Sequence, residues 1–326
     1  VQFVFEHDMD LALENELNQA RFLARGEGGV PIAGSAQWND DLHHAAHVLV
    51  TGETDGYYAD YADAPVDRFG RALAEGFVYQ GQPSPFRDGE ERGEPSAHLP
   101  STAFVSFLQT HDQVGNRAFG DRIHGLSDPV LLQAAYACLL LSPHVPMLFM
   151  GEEYAASTPF LYFCDFGPEL AAAVSAGRRA EFGRFAAFSD EAARARIPDP
   201  NGIDAFHAST LRWDERLESP HREWLACIRH LLSIRAREVV PLLGRQPRAG
   251  YFWREGEALR VDWPLAGGAA GGPILHLLAH FGTSVLQGAS APAGRIIFET
   301  GVEADGGALR LASGAVRVTI EEHDDV

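Results

Sequence analysis

Cysteine is scarce in this sequence: only Cys138, Cys164 and Cys227 occur in 326 residues. The odd count and wide spacing exclude a disulfide framework and a cysteine-based metal knuckle, and they predict a reducing, cytoplasmic setting. Positive charge is in deficit. There are 26 Lys and Arg against 45 Asp and Glu, a net charge of −19. Such a surface repels nucleic acid and anionic membranes, so neither is an expected partner, while a neutral sugar is compatible with it. No apolar run reaches the length of a membrane span, no secretory leader is visible, and there is no internal repeat. A starting Met is also missing. The chain opens on Val1-Gln-Phe-Val-Phe5 and reads as a piece of a longer protein.

Apolar residues make up 46%, ordinary for a globular protein, and the length allows two domains. Short apolar runs alternate with helical stretches over the first part of the chain. Asp10–Leu13, Ala36–Trp38, Ala103–Leu108 and Met147–Met150 read as four buried strands. Helices are expected over Leu42–Thr51, Val66–Glu75, Pro129–Leu141, Glu169–Phe182 and Arg222–Glu238. The first three carry caps or stops: an Asn or Asp before the first with Gly52 after it, Gly76 after the second, and Ser127 or Asp128 before the third with Ser142-Pro143 after it. Gln80–Ser101, with Pro83, Pro85, Pro95 and Pro100, reads as a long excursion without regular structure. Strands alternating with helices imply a parallel βα arrangement. After Leu243 the pattern changes to short runs separated by turns such as Gly267–Gly272, which reads as an all-β sandwich. The expected division is therefore 1–243 and 244–326.

Polar groups crowd the ends of the strands. Phe104-Val-Ser-Phe-Leu-Gln-Thr-His-Asp-Gln-Val-Gly-Asn116 passes abruptly from an apolar strand to His111, Asp112, Gln113 and Asn116. The C-terminal end of a strand is where a (β/α)-barrel keeps its active site. A lone His-Asp pair there would more often be a polar turn. Glu14 and Glu16 follow the first strand. By themselves they read as solvated charges, and Glu14 is preferred because it directly follows the apolar run. Asn39-Asp-Asp-Leu-His-His44 follows the second strand. Two Asp and two His in five residues could bind a divalent cation, but adjacent residues rarely converge on one ion without distant partners. Sugar hydroxyls need the same donors and acceptors, so no metal is expected.

The run Phe107-Leu-Gln-Thr-His-Asp-Gln-Val-Gly-Asn-Arg117 closely resembles the seventh-strand motif of the α-amylase superfamily of glycoside hydrolases. His111-Asp-Gln-Val-Gly-Asn116 resembles the variant found in the malto-oligosyltrehalose trehalohydrolase family. Leu11-Ala-Leu-Glu-Asn-Glu-Leu-Asn18, Asn39–His44, Gly52–Tyr58, Pro85-Phe-Arg87 and Gly151-Glu-Glu-Tyr154 agree with it. Leu42, where Phe is more usual, and Thr110, where Asn often stands, depart from it.

The resemblance implies a (β/α)8 barrel, of which this chain would hold strands five to eight, followed by a C-terminal β domain. It implies a retaining glycosidase that cleaves the α-1,4 bond next to the trehalose end of maltooligosyl trehalose, with no cofactor. Glu14 would be the general acid/base and Asp112 the transition-state stabiliser. Asp40, Asp41, Leu42, His43, His44, His111, Gln113, Val114, Gly115 and Asn116 would line the substrate site. Tyr57, Phe86 and Arg87 would meet the trehalose end, since rings stack on sugar faces and guanidinium groups donate to hydroxyls. The family's nucleophile, an Asp after the fourth strand, has no Arg-x-Asp-Ala counterpart here, so the missing N-terminal half of the same protein is an expected partner. The rival readings are another α-glucan-active enzyme, such as a branching enzyme, and a non-catalytic glucan-binding protein.

Overall fold

Two short strands, β1 (Ala12–Leu13) and β2 (Ala36–Trp38), begin the regular structure. The structure is a computed structural model and describes residues 10–183, 190–245, 249–265 and 272–322. The opening Val1–Phe5 and nearly all of the Gly267–Gly272 turn lie outside the described residues.

Helix α1 (Asp40–Thr51) follows β2 directly. Asn39 caps it: its side-chain oxygen accepts the Leu42 N–H at 3.3 Å, and its amide donates to the Gly76 carbonyl at 2.9 Å. Gly52 ends it in the left-handed conformation that a Cβ would oppose, at φ 74°. Helix α2 (Pro65–Glu75) starts on a proline, whose missing N–H costs nothing there. The stretch read as irregular instead contains a small antiparallel hairpin, β3 (Gln82–Pro83) with β4 (Glu91–Arg92), around a 3-10 turn at Pro85–Arg87.

The motif strand is β5 (Phe104–Ser106). Thr110 caps the short helix α3 (His111–Gly115), accepting the Asp112 N–H at 3.2 Å. Asp128 caps α4 (Pro129–Leu141), accepting from the N–H groups of Val130 and Leu131. The last short strand, β6, is Val145–Pro146. The sequence reading placed it at Met147–Met150; there only the Met147 N–H reaches across, to the Ser106 carbonyl at 2.9 Å. The four strands form one sheet in the order β1-β2-β5-β6, every pair parallel.

Helices α5 (Pro168–Phe182), α6 (Glu191–Ala195), α7 (Ile203–Ala208) and α8 (His221–Ile234) follow. A π-helical turn, Arg235–Val239, extends α8. Buried Arg235 donates from there to the carbonyls of Leu140, Ser142 and His144. It thereby caps the end of α4, where unpaired carbonyls concentrate negative charge.

The last module is corrected from a sandwich to a single antiparallel sheet. Its strands are β7 (Tyr251–Glu255), β8 (Ala258–Pro264), β9 (Ile274–His280), β10 (Leu286–Ala289), β11 (Arg295–Asp305) and β12 (Ala308–Glu321). The order is β10-β12-β9-β8-β7, with β11 also on β12. The fourteen-residue β12 explains this. Its first part pairs with β10 and its second with β9, while β11 follows both, with register shifts at Ile296/Phe298 and Thr300/Val302. Such shifts let one sheet curl over its own core. Gly314 lies at that bend at φ 70°, and a Cβ there would meet the Val130 carbonyl of α4 at 2.8 Å. Trp263 is fully buried and donates its indole N–H to the Leu73 carbonyl at 3.1 Å, fixing the sheet on α2.

The described residues fall into two compact units. One holds 10–108, 128–147, 230–245, 249–265 and 272–322; the other holds 109–127, 148–183 and 190–229. No helix among the described residues is long and apolar enough to cross a membrane.

Candidate active site

In the first unit, Glu14 stands just after β1, at the C-terminal end of a parallel strand. It is exposed, and among the described residues its carboxylate has no hydrogen-bond or ion-pair partner. Glu16, its competitor, forms an ion pair with Arg87 at 3.1 Å. The backbone carrying both is held at several points. Gln37 donates to the Asn15 carbonyl at 3.0 Å, Arg92 to the Glu16 carbonyl at 2.9 Å, and the Glu94 N–H to the Asn18 carbonyl at 3.0 Å.

Asp41 lies wholly inside the protein. One carboxylate oxygen accepts from Tyr61 Oη at 2.6 Å and pairs with Arg92 Nη1 at 2.9 Å. The other accepts the N–H groups of Val78 and Tyr79 at 2.7 and 2.9 Å. Burial alone would lower the Arg92 pKa, but Asp41 and the Tyr61 oxygen outweigh it and raise it. Burial, then Asp41, pushes the Tyr61 hydroxyl well up. Leu42 and His43 are buried beside Asp41. The Leu108 carbonyl at 2.6 Å can only accept, so His43 Nδ1 carries the proton and Nε2 accepts from Tyr58 Oη at 3.0 Å. The Asp41 oxygens and His43 nitrogens that a cation would need are thus engaged by protein groups.

The remaining predicted residues of this unit face outward more. Asp40 and His44 are half-buried, and loss of hydration, followed by the neighbouring His43, Arg92 and His47 charges, holds His44 well below the usual imidazole range. Its ring lies 4.7 Å from that of Tyr57, and Tyr57 meets Phe86 edge-on at 6.2 Å. Phe86 is 52% exposed and Tyr57 36%. Asp60 pins this patch by accepting from Ser84 Oγ and from the Phe86 N–H at 2.8 Å. Two exposed rings beside a paired guanidinium make a surface on which a sugar ring can stack.

In the second unit, Asp112 sits in the first turn of α3 with His111 Nε2 3.4 Å from its carboxylate, and both side chains are about half exposed. Thr110 Oγ1 also bonds Gln113, so the Thr at this position supplies the helix cap. Val114 and Gly115 are buried, and Asn116 is exposed at the helix end. Arg178 braces the far end of the motif by donating to the carbonyls of Gly115 and Arg117 at 2.6 and 2.9 Å.

Arg92, Asp60, Tyr61 and Arg178 escaped the sequence reading. The partners that hold the site are 20 to 76 residues away, beyond any local pattern. One sign was present: Arg92 is the only base in Asp88-Gly-Glu-Glu-Arg-Gly-Glu94.

No family model matches the chain. Relatives do. The malto-oligosyltrehalose trehalohydrolase of Deinococcus radiodurans is 42% identical over 225 residues, 69% of this chain and 36% of the relative. That of Arthrobacter ramosus is 38% identical over 271 residues, 81% of this chain and 46% of the relative. Among solved structures, a Salmonella typhimurium protein described as a "Putative alpha Amylase" superposes with a TM-score of 0.87 at 38% identity, covering 98% of this chain and 52% of that one. The chain belongs with the α-amylase family of glycoside hydrolases. Within that family it is related to the malto-oligosyltrehalose trehalohydrolases, and it spans less than half the length of these curated relatives.

Proposed function

We propose that this chain is the C-terminal portion of a retaining glycoside hydrolase that releases trehalose from maltooligosyl trehalose. Residues 1–243 contribute strands five to eight of a (β/α)8 barrel, and 244–326 form the appended β domain. Glu14 protonates the departing glycosidic oxygen and later deprotonates the attacking water. Asp112, with His111, holds the hydroxyls of the sugar at the cleavage point while charge develops on the ring. A nucleophilic carboxylate from the rest of the enzyme lies roughly 5 Å from Glu14. Tyr57, Phe86 and Arg87 take the trehalose end. Asp40, His44, Gln113 and Asn116 are set for hydroxyl contacts, whereas Asp41, Leu42, His43, Val114 and Gly115 shape the site from within.

The observation that carries this reading is Glu14: a carboxylate with no partner among the described residues, at a parallel strand end, in a chain related to trehalohydrolases. In the whole enzyme, Glu14→Gln and Asp112→Asn should each lower trehalose release about 10²- to 10⁴-fold while substrate still binds. Near-normal release by Glu14→Gln with collapse in Glu16→Gln would assign the acid to Glu16 instead.

A further inference from the structure

Arg92 joins three parts of the first unit that are far apart in sequence. It lies on β4, its Nη1 reaches Asp41 on α1 and the Tyr61 hydroxyl, and its Nε reaches the Glu16 carbonyl. It is buried, and its ring neighbour is Tyr79, 5.5 Å from the guanidinium. The planar fork is what allows one side chain to serve two directions at once; an ammonium has no second, fixed donor to send elsewhere. Asp41 is held in turn by the Val78 and Tyr79 N–H groups, so the anchor does not swing. The carbonyl it grips is that of Glu16, two residues from the Glu14 carboxylate, which has no partner among the described residues.

We infer that Arg92 is a positioning residue for Glu14, and that Asp41 acts through Arg92 rather than on sugar. This rests on the assignment of Glu14 as the acid. A carboxylate on a loop must be held to a fraction of an ångström to protonate a leaving oxygen, and misplacement by about 1 Å can cost about 10²-fold in rate. Among the described residues Glu14 has no side-chain partner to hold it, so its place is set by its backbone. Removing the Glu16 carbonyl bond loosens that backbone while leaving every predicted sugar contact in place.

The test is a set of variants of the whole enzyme assayed on maltotriosyl trehalose. Arg92→Lys keeps a cation beside Asp41 but cannot also reach the Glu16 carbonyl. It should lower kcat about 10- to 100-fold with KM within about threefold and with little change in melting temperature. Asp41→Asn should show the same selective loss in kcat. In a Glu14→Gln background, Arg92→Lys should cost less than about threefold, because residues acting through one group are not additive. An unchanged kcat in Arg92→Lys, or an equal loss with and without Glu14, overturns the inference. So does a rise in KM at normal kcat in Asp41→Asn, which would restore Asp41 as a sugar ligand. Full activity in Glu14→Gln alone would instead remove the proposed acid, a failure of the assignment beneath.

Discussion

His144 is locked between a hydroxyl and a carbonyl. Its Nε2 faces the Leu73 carbonyl at 3.0 Å, so it carries the proton there, and Nδ1 accepts from Ser106 Oγ at 2.7 Å. Burial pushes its pKa down to about 3; the Leu73 bond opposes this and Arg235 adds to it. An unfolded histidine titrates near 6.5. The folded state therefore binds fewer protons below that pH. The stability that His144 contributes is whole above about 6.5, then falls steadily as the pH drops toward the folded value. Between pH 7 and 5 the loss is about 2 kcal/mol. His124, lowered to about 4 by burial, then by Arg122 and His221, works in the same direction. His144→Gln removes one titrating group while a side-chain amide can still donate to Leu73. Its loss of stability between pH 7 and 5, read from denaturation midpoints, should be smaller than wild type by about that amount. An identical pH dependence in the variant would refute the role of His144.

The longer helices were legible because their ends are written in single residues, whereas the short α3, α6 and α7 were not expected. Asn39, Asp128, Gly52 and the prolines at the starts of α2 and α4 act locally, within a turn of the residues they serve. The parallel sheet was legible in its order, but β1 and β6 contain two residues each, too few to register a period. Met147-Leu-Phe-Met150 read as a strand because it is apolar, yet pairing falls on Val145–Pro146 just before it. The single sheet of the last module was hidden for a related reason: β10, Leu286-Gln-Gly-Ala289, shows no clear alternation, and nothing in the sequence says that one long strand will serve three neighbours. The β3–β4 hairpin was the hardest. Its prolines signal a loop, and what orders it is Asp60 and Arg92 reaching across distant segments. This hairpin presents Phe86 and Arg87, so it is the element on which trehalose specificity should depend. Replacing Phe86 and Arg87 together by Ala should lower the rate on maltotriosyl trehalose at least about 30-fold more than on plain maltooligosaccharides, since a stacked ring and a charged hydrogen bond are each worth about 1–2 kcal/mol. Equal losses on both substrates would place the hairpin outside the trehalose subsite.

Across the whole molecule, the chain covers 36% and 46% of two relatives whose full length carries their name. Among the described residues its parallel sheet has β1 at one edge and β6 at the other. A barrel closes only when each strand has a neighbour on both sides, and an unpaired parallel edge offers its N–H and C=O groups to any partner. The chemistry points the same way. In the proposed retaining mechanism a nucleophile is needed as well as an acid; with Glu14 assigned as the acid and Asp112 as the stabiliser, neither is available to attack the anomeric carbon. The 326 residues expressed alone should therefore release no trehalose from maltotriosyl trehalose. Supplied with the remaining part of the relatives' length, in the same polypeptide or co-expressed, they should gain cooperative melting and turnover together, because the strands that close the sheet and the strand that carries the nucleophile arrive in one piece. The measurement is trehalose release per mole of purified chain, with and without that complement. Multiple turnovers by the chain alone would mean that one of its own carboxylates attacks the sugar, and the candidates would then be the acids at the strand ends other than Glu14 and Asp112: Glu16, Asp40 and Glu153.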